Sequence, residues 1–255
     1  MEAFKSALTE LHGAEMDAMA ASFWRPSSKA TTVLLIQRGE AYGRSFLGWP
    51  QLLEAALVPL ERLVTWRGLE DLEQRPLLQQ VAFFRSADVL VGAVGAALGW
   101  MLLMAPGSQV LEWIPKGVQP CMYRCSEAWN VDQLGMFGGL GRLAAVDHVC
   151  LRAEKQPLRV SDARRYSATR VTARDAYWRR ENLQVDLEKF GRWLREAVRR
   201  VAKRATRGAE CVGCQSWSTQ PLRDQHQGIR RRLVAVKLVQ TLWKGIFSTR
   251  FFRIL

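Results

Sequence analysis

Charge is missing from Val89 to Ala105, and cysteine and histidine are scarce throughout, with five and three copies in 255 residues. Five cysteines are too few for a disulfide scaffold, and an odd number cannot all pair within the chain. The opening MEAFKSALTELHGAEMDAM places acids early and has no continuous apolar core, so neither a signal peptide nor a signal anchor is expected there. No repeat of solenoid period is visible, and no recognisable nucleic-acid module stands out.

What is present suits a folded chain. A hydrophobic share of 48% with 24% charged residues excludes disorder throughout, and the length accommodates one or two domains. The net charge of +13 is unevenly placed: residues 1–150 hold 12 Lys/Arg against 15 Asp/Glu, a balance of −3, while residues 151–255 hold 25 against 9, a balance of +16. A basic second half fits contact with anionic membrane, an acidic partner or nucleic acid, or simply a solvated face; without a module, nucleic acid is the weakest of these.

Along the chain, apolar residues at Phe4, Leu8, Leu11, Met16 and Met19 predict a helix over residues 3–21. TTVLLIQR, Thr31 to Arg38, is a β-branched and aliphatic run that predicts a strand buried on both faces. A helix follows with Pro50 at its first position, and Pro59 should end or kink it. LVTW predicts a short strand, Arg75 to Arg85 a helix, ADVLVG a strand, Ala96 to Met104 a helical run and QVLEWI a strand. VDQLGMFGGLGRLAA is helix-like, and DHVCLRA predicts a last strand. Alternation of this kind implies right-handed crossovers and a parallel sheet. Residues 154–180 read as a mobile, arginine-rich loop, and VDLEKFGRWLREAVRRVAKRA as a helix whose stripe of Leu187, Phe190, Leu194, Val198 and Val201 packs back on the sheet. The expected division is an α/β domain over residues 1–205 and a basic extension over 206–255.

The uncharged stretch ADVLVGAVGAALGWMLLMAPGSQVLEWIP poses a choice. As a membrane helix it falls a little short of the roughly 20 apolar residues a span needs. As strand, tight turn and helix start, it would present the free amides of a first helical turn to a phosphate, with glycines allowing close approach. The alternation on either side favours the second reading, because a spanning helix would remove the centre of the sheet. A glycine-rich turn that merely packs closely, without a ligand, is the plain alternative.

That stretch resembles the motif ADVLVGxHGAGLxxxLFMxPGSxVxE of glycosyltransferase family 61. TTVLLIQRGEAYGR is similar to the family's strand and following basic residues, which matches Arg38 and Arg44, and the resemblance extends over about residues 30 to 205. It implies a Rossmann-like parallel sheet with helices on both faces, resembling the C-terminal lobe of a GT-B fold. It also implies inverting transfer from a nucleotide sugar to a glycan or protein hydroxyl, in the endoplasmic reticulum or Golgi lumen, with no cofactor beyond the donor substrate. By the same resemblance Gly92, Gly95, Ala96, Ala97 and Leu98 would surround the donor diphosphate through main-chain amides. Arg38 and Arg44 would supply positive charge to the leaving group, and Glu112 would accept hydrogen bonds from ribose. The sequence departs from the motif at Val94, where the pattern has histidine, and restoring histidine there is expected to strengthen donor binding.

Residue by residue, plainer roles stand beside these. Arg38 and Arg44 also suit solvated loop positions, and Glu112 an exposed strand end. His148, just before a strand, suits a packed or edge histidine, and no general base is assigned. Cys211 with Cys214 and Cys121 with Cys125 have spacings that admit zinc or a redox pair, but isolated thiols are the default expectation.

Overall fold

The structure is a computed structural model that describes residues 2–23, 30–37, 44–60, 64–70, 72–115, 125–131, 136–154 and 182–210. Five parallel strands form one sheet in the order β2-β1-β3-β4-β5, with β1 at Thr31–Ile36, β2 at Val64–Leu69, β3 at Val89–Ala93, β4 at Gln109–Ile114 and β5 at Asp147–Arg152. The helices are α1 (Glu2–Phe23), α2 (Trp49–Leu57), α3 (Leu77–Arg85), α4 (Met136–Ala144) and α5 (Leu187–Glu210). The fold is the Rossmann-like α/β layer that the alternation implied. No described helix is long and apolar enough to cross a membrane.

The strand order dictates where the helices go. The chain steps one way from β1 to β2 and then back past β1 to β3, β4 and β5. Right-handed crossovers therefore place α2 on one face and the later connections on the other. Val33, Leu35, Val91, Leu111 and Val149 face α2 and α5. Leu34, Leu90, Val110 and Cys150 face the side of α1, α3 and α4. Strands covered on both faces have no use for alternating polar residues, which is why β1, β3 and β4 read as continuous apolar runs.

Register is fixed where β1 and β3 begin. Thr32 N donates to Asp88 Oδ2 at 2.8 Å, and Asp88 N donates to Thr32 Oγ1 at 2.9 Å, so the acid before the uncharged stretch pins two strands together. At the sheet edge Gly68 has no side chain because the Trp49 ring occupies the place of a Cβ. Trp49 in turn packs edge-on against Trp66. Pro59 lies within a short 3-10 turn, Val58–Leu60, that ends α2 as its missing N–H requires.

The closing helix packs through Phe190, Leu194, Ala197 and Val198, all buried. Each fully buried large side chain contributes about 1.5–3 kcal/mol, enough to hold α5 on the sheet despite its excess of cations. Leu187, expected on that stripe, is instead 48% exposed, because it lies at the first turn before the helix reaches the core. Far along the helix, Arg204 Nη2 donates to Asp147 Oδ2 at 2.8 Å.

The cysteines differ from the expectation of isolated thiols. Cys125 and Cys150 form a disulfide between the loop after β4 and the middle of β5. Two cysteines 25 residues apart in sequence meet because β5 lies beside β4, a proximity that spacing alone does not reveal. Among the described residues no group of His, Cys, Asp and Glu is placed to hold a metal. Cys121, Cys211 and Cys214 fall outside the described residues, as do Arg38, the loop expected over 155–180 and the basic extension beyond residue 210.

Candidate functional site

In an open parallel sheet, ligands bind outside the carboxyl ends of the strands where the strand order reverses. Here that point lies between β1 and β3. A cleft of about 300 Å³ occupies it, floored by Ile36 and Gln37 from the end of β1 and Gly92 and Ala93 from the end of β3. Gly95, Ala96, Ala97 and Leu98 make one wall, with Leu72, Glu73, Gln80 and Trp100 opposite and beyond.

The wall is built from main chain. The helical run after β3 is a 3-10 helix, Ala96–Leu103, with Gly95 at its N-cap, and Leu98 N donates to Gly95 O at 3.0 Å. The first amides of such a turn have no partner inside the helix and carry the positive end of its dipole. Glycine at 92 lets Leu98 tuck against the strand, since a Cβ there would stand 3.0 Å from Leu98 Cδ2. Five of the residues singled out from the motif, Gly92, Gly95, Ala96, Ala97 and Leu98, thus line a single cleft.

Arg44 is brought to the same turn. Its Nη1 donates to Val94 O at 2.8 Å, and a Cβ on Gly95 would lie 3.3 Å from that nitrogen. Its loop is held from two sides. Gln37 copies a strand partner, with Nε2 donating to Phe46 O and Oε1 accepting from Phe46 N. Leu183 N donates to Ser45 O, and Leu47 N to Leu183 O. Phe46 then packs among Trp113 and Phe190, edge-on to both. A left-handed backbone at Arg44, with φ 60°, completes the bend.

Two expectations are corrected. Val94 does not line the cleft: it is 2% exposed and belongs to the core that contains Leu34, Leu90 and Leu98. Val94 N donates to Trp113 O, which carries the β3–β4 pairing one residue further and leaves the side chain enclosed in that core. Glu112 is not a strand-end carboxylate. It lies inside β4, 2% exposed, where its Oε2 is 2.9 Å from His148 Nε2. Its other oxygen, Oε1, is buried with no partner among the described residues. His148 is accordingly a packed histidine, as its place before the strand suggested.

Sequence reasoning passed over Gln37, Glu73 and Trp100. Gln37 and Glu73 follow the ends of β1 and β2, the positions that face the crevice in this topology, so strand order was the signal that could have found them. Trp100 lies flat on Phe84, centroids 5.5 Å apart, and presents a fixed aromatic edge to the cleft. Glu73 is the sole carboxylate among the described lining residues.

Comparison with known proteins assigns the segment that builds this cleft. Residues 4–111 match the family model described as Glycosyltransferase 61. The match starts in α1, earlier than the motif resemblance, and ends inside β4, just before Glu112. No curated protein matches the chain.

Proposed function

We propose, from the match of residues 4–111 to the glycosyltransferase family 61 model, that the switch-point cleft binds the diphosphate of a nucleotide sugar. The observation that carries the reading is the convergence of Gly95, Ala96 and Ala97 with the Arg44 guanidinium at the carboxyl end of β3. Main-chain amides and a fixed cation are what a dianionic leaving group needs.

The chemistry is inverting transfer. An acceptor hydroxyl oxygen attacks the anomeric carbon, the bond from that carbon to the diphosphate oxygen breaks, and the nucleoside diphosphate departs with the electron pair. The hydroxyl proton passes to a base. With Glu112 withdrawn into the sheet, Glu73 takes the part of the carboxylate that accepts hydrogen bonds from ligand hydroxyls. The acceptor is a glycan or protein hydroxyl, and no cofactor is required. An endoplasmic reticulum or Golgi lumen suits the chain, because the Cys125–Cys150 disulfide is of the kind that oxidising compartments maintain.

Calorimetric titration of the purified chain with a panel of nucleotide sugars tests the reading. Saturable binding that the free nucleoside diphosphate displaces is the expected result. Lack of saturation at millimolar ligand for every donor defeats it.

A further inference from the structure

At the other end of the sheet, beneath the start of β4, a second cavity of about 180 Å³ opens between α1 and α3. Its walls are apolar, from Val81, Leu103, Met104 and Pro106, and its charged groups are two cations, Lys5 and Arg85, with no carboxylate among the described lining residues. Lys5 is held in place, its Nζ donating to Met104 O at 3.1 Å. Arg85, in the last turn of α3, has a different standing: its Nη1 is buried and has no hydrogen-bond partner among the described residues.

A buried guanidinium N–H without an acceptor is costly, and native structures leave few such groups unexplained. Arg85 lines the adjoining cavity, and a small turn of its guanidinium would give this group an acceptor carried by a ligand there. We propose that the cavity is a binding site for a small amphipathic monoanion, a carboxylate on a short alkyl or aryl tail, with the carboxylate on Arg85 and the tail against Val81, Leu103 and Met104. The planar guanidinium matches a carboxylate in geometry as well as charge. A more highly charged anion such as phosphate would have to give up more hydration against a wall that is mostly apolar, with Thr9 and Lys5 as its polar members besides Arg85. Size agrees: an apolar cavity of about 150 Å³ takes up benzene, so this one suits a tail of about six carbons. The site lies at the opposite end of the strands from the switch-point cleft and stands whether or not that cleft binds a nucleotide sugar.

The test is titration of the purified full chain with hexanoate and benzoate, followed by calorimetry and by nuclear magnetic resonance shifts of residues around Leu103. Hexanamide supplies the tail without the charge, and inorganic phosphate the charge without the tail. Saturable binding of hexanoate or benzoate, with hexanamide and phosphate at least tenfold weaker, is expected. Arg85→Gln should weaken the carboxylate about tenfold or more, given the usual strength of a charge-assisted bond, and Arg85→Lys should keep only part of the affinity, because an ammonium keeps the charge and loses the planar fork. Circular dichroism reports whether each variant is folded. If the Gln variant unfolds, the comparison of hexanoate with hexanamide on the native chain still decides. Equal affinity for hexanoate and hexanamide, no saturation with either acid, or undiminished binding by folded Arg85→Gln would overturn the proposal.

Discussion

Arg44 Nη1 donates to the main-chain oxygen of Val94 at 2.8 Å, and this bond ties the loop after β1 to the turn after β3. The two strands are adjacent in the sheet, so the bond joins the segments that leave their carboxyl ends. Arg44→Gln removes a charged donor from a carbonyl and a cation from beside Gly95. Bonds to charged groups are worth about 1.5–3 kcal/mol, so nucleotide-sugar affinity should drop by about tenfold or more. Calorimetry on the folded variant measures it, and unchanged affinity would show that the cation does not serve the ligand.

Val94→His no longer carries the gain in donor binding that the motif resemblance implied. The position is buried within the core cluster that holds Leu34, Leu90 and Leu98, so a larger, polar ring must overpack the core or bury an unpaired nitrogen. A loss of about 1–3 kcal/mol in urea unfolding is expected, with nucleotide-sugar affinity unimproved. A variant of native stability with tighter binding would contradict the placement of this side chain.

Glu112 and His148 form a buried pair that does not line the cleft, so their variants should separate stability from binding. Glu112→Ala strands the imidazole and should cost about 1–3 kcal/mol. Replacing both residues with leucine should recover much of that loss, because paired apolar groups need no acceptor. Denaturation midpoints of the single and double variants give the coupling. Nucleotide-sugar affinity should hold throughout, and a selective loss of affinity in Glu112→Gln would return this residue to the ligand.

The acid limb of stability should depend on Glu127. Burial opposes its charge, but Lys189 Nζ at 2.6 Å, the Arg152 amide and the nearby cations outweigh that and hold its pKa below the ordinary 4.5. A carboxyl depressed in the folded state contributes stability in full above its unfolded pKa and loses it as pH falls through the folded one. Glu127→Gln should therefore flatten the decline of the unfolding midpoint below about pH 4.5 and leave the neutral plateau nearly parallel to that of the native chain. An unaltered acid limb would remove Glu127 from the account.

Strands β1 and β3 were legible as apolar runs between turn residues, β4 and β5 as shorter apolar stretches interrupted by Glu112 and opened by Asp147 and His148, and α2 because Pro50 and Pro59 bracket it. The strand β2 runs on to Leu69, past the expected LVTW, because the Trp49 ring covers Gly68 and packs where its side chain would be. The glycine-rich wall of the cleft was legible from its motif, and Arg44 from its place in the resemblance. Glu112, Val94 and the disulfide were not, for one reason. Their surroundings depend on which strand lies beside which: the pairing of Glu112 with Cys150 across β4 and β5 brings His148 within reach and carries Cys150 to Cys125.

The inward turn of Val94 has a consequence for how such a cleft drifts over time. A wall made of main-chain amides does not record its purpose in side chains, so substitutions at 94, 96 and 97 that keep the bend leave its chemistry untouched. Residue identity is constrained at Gly92, where bulk would dislodge Leu98, and at Gly95, where it would press on the Arg44 guanidinium.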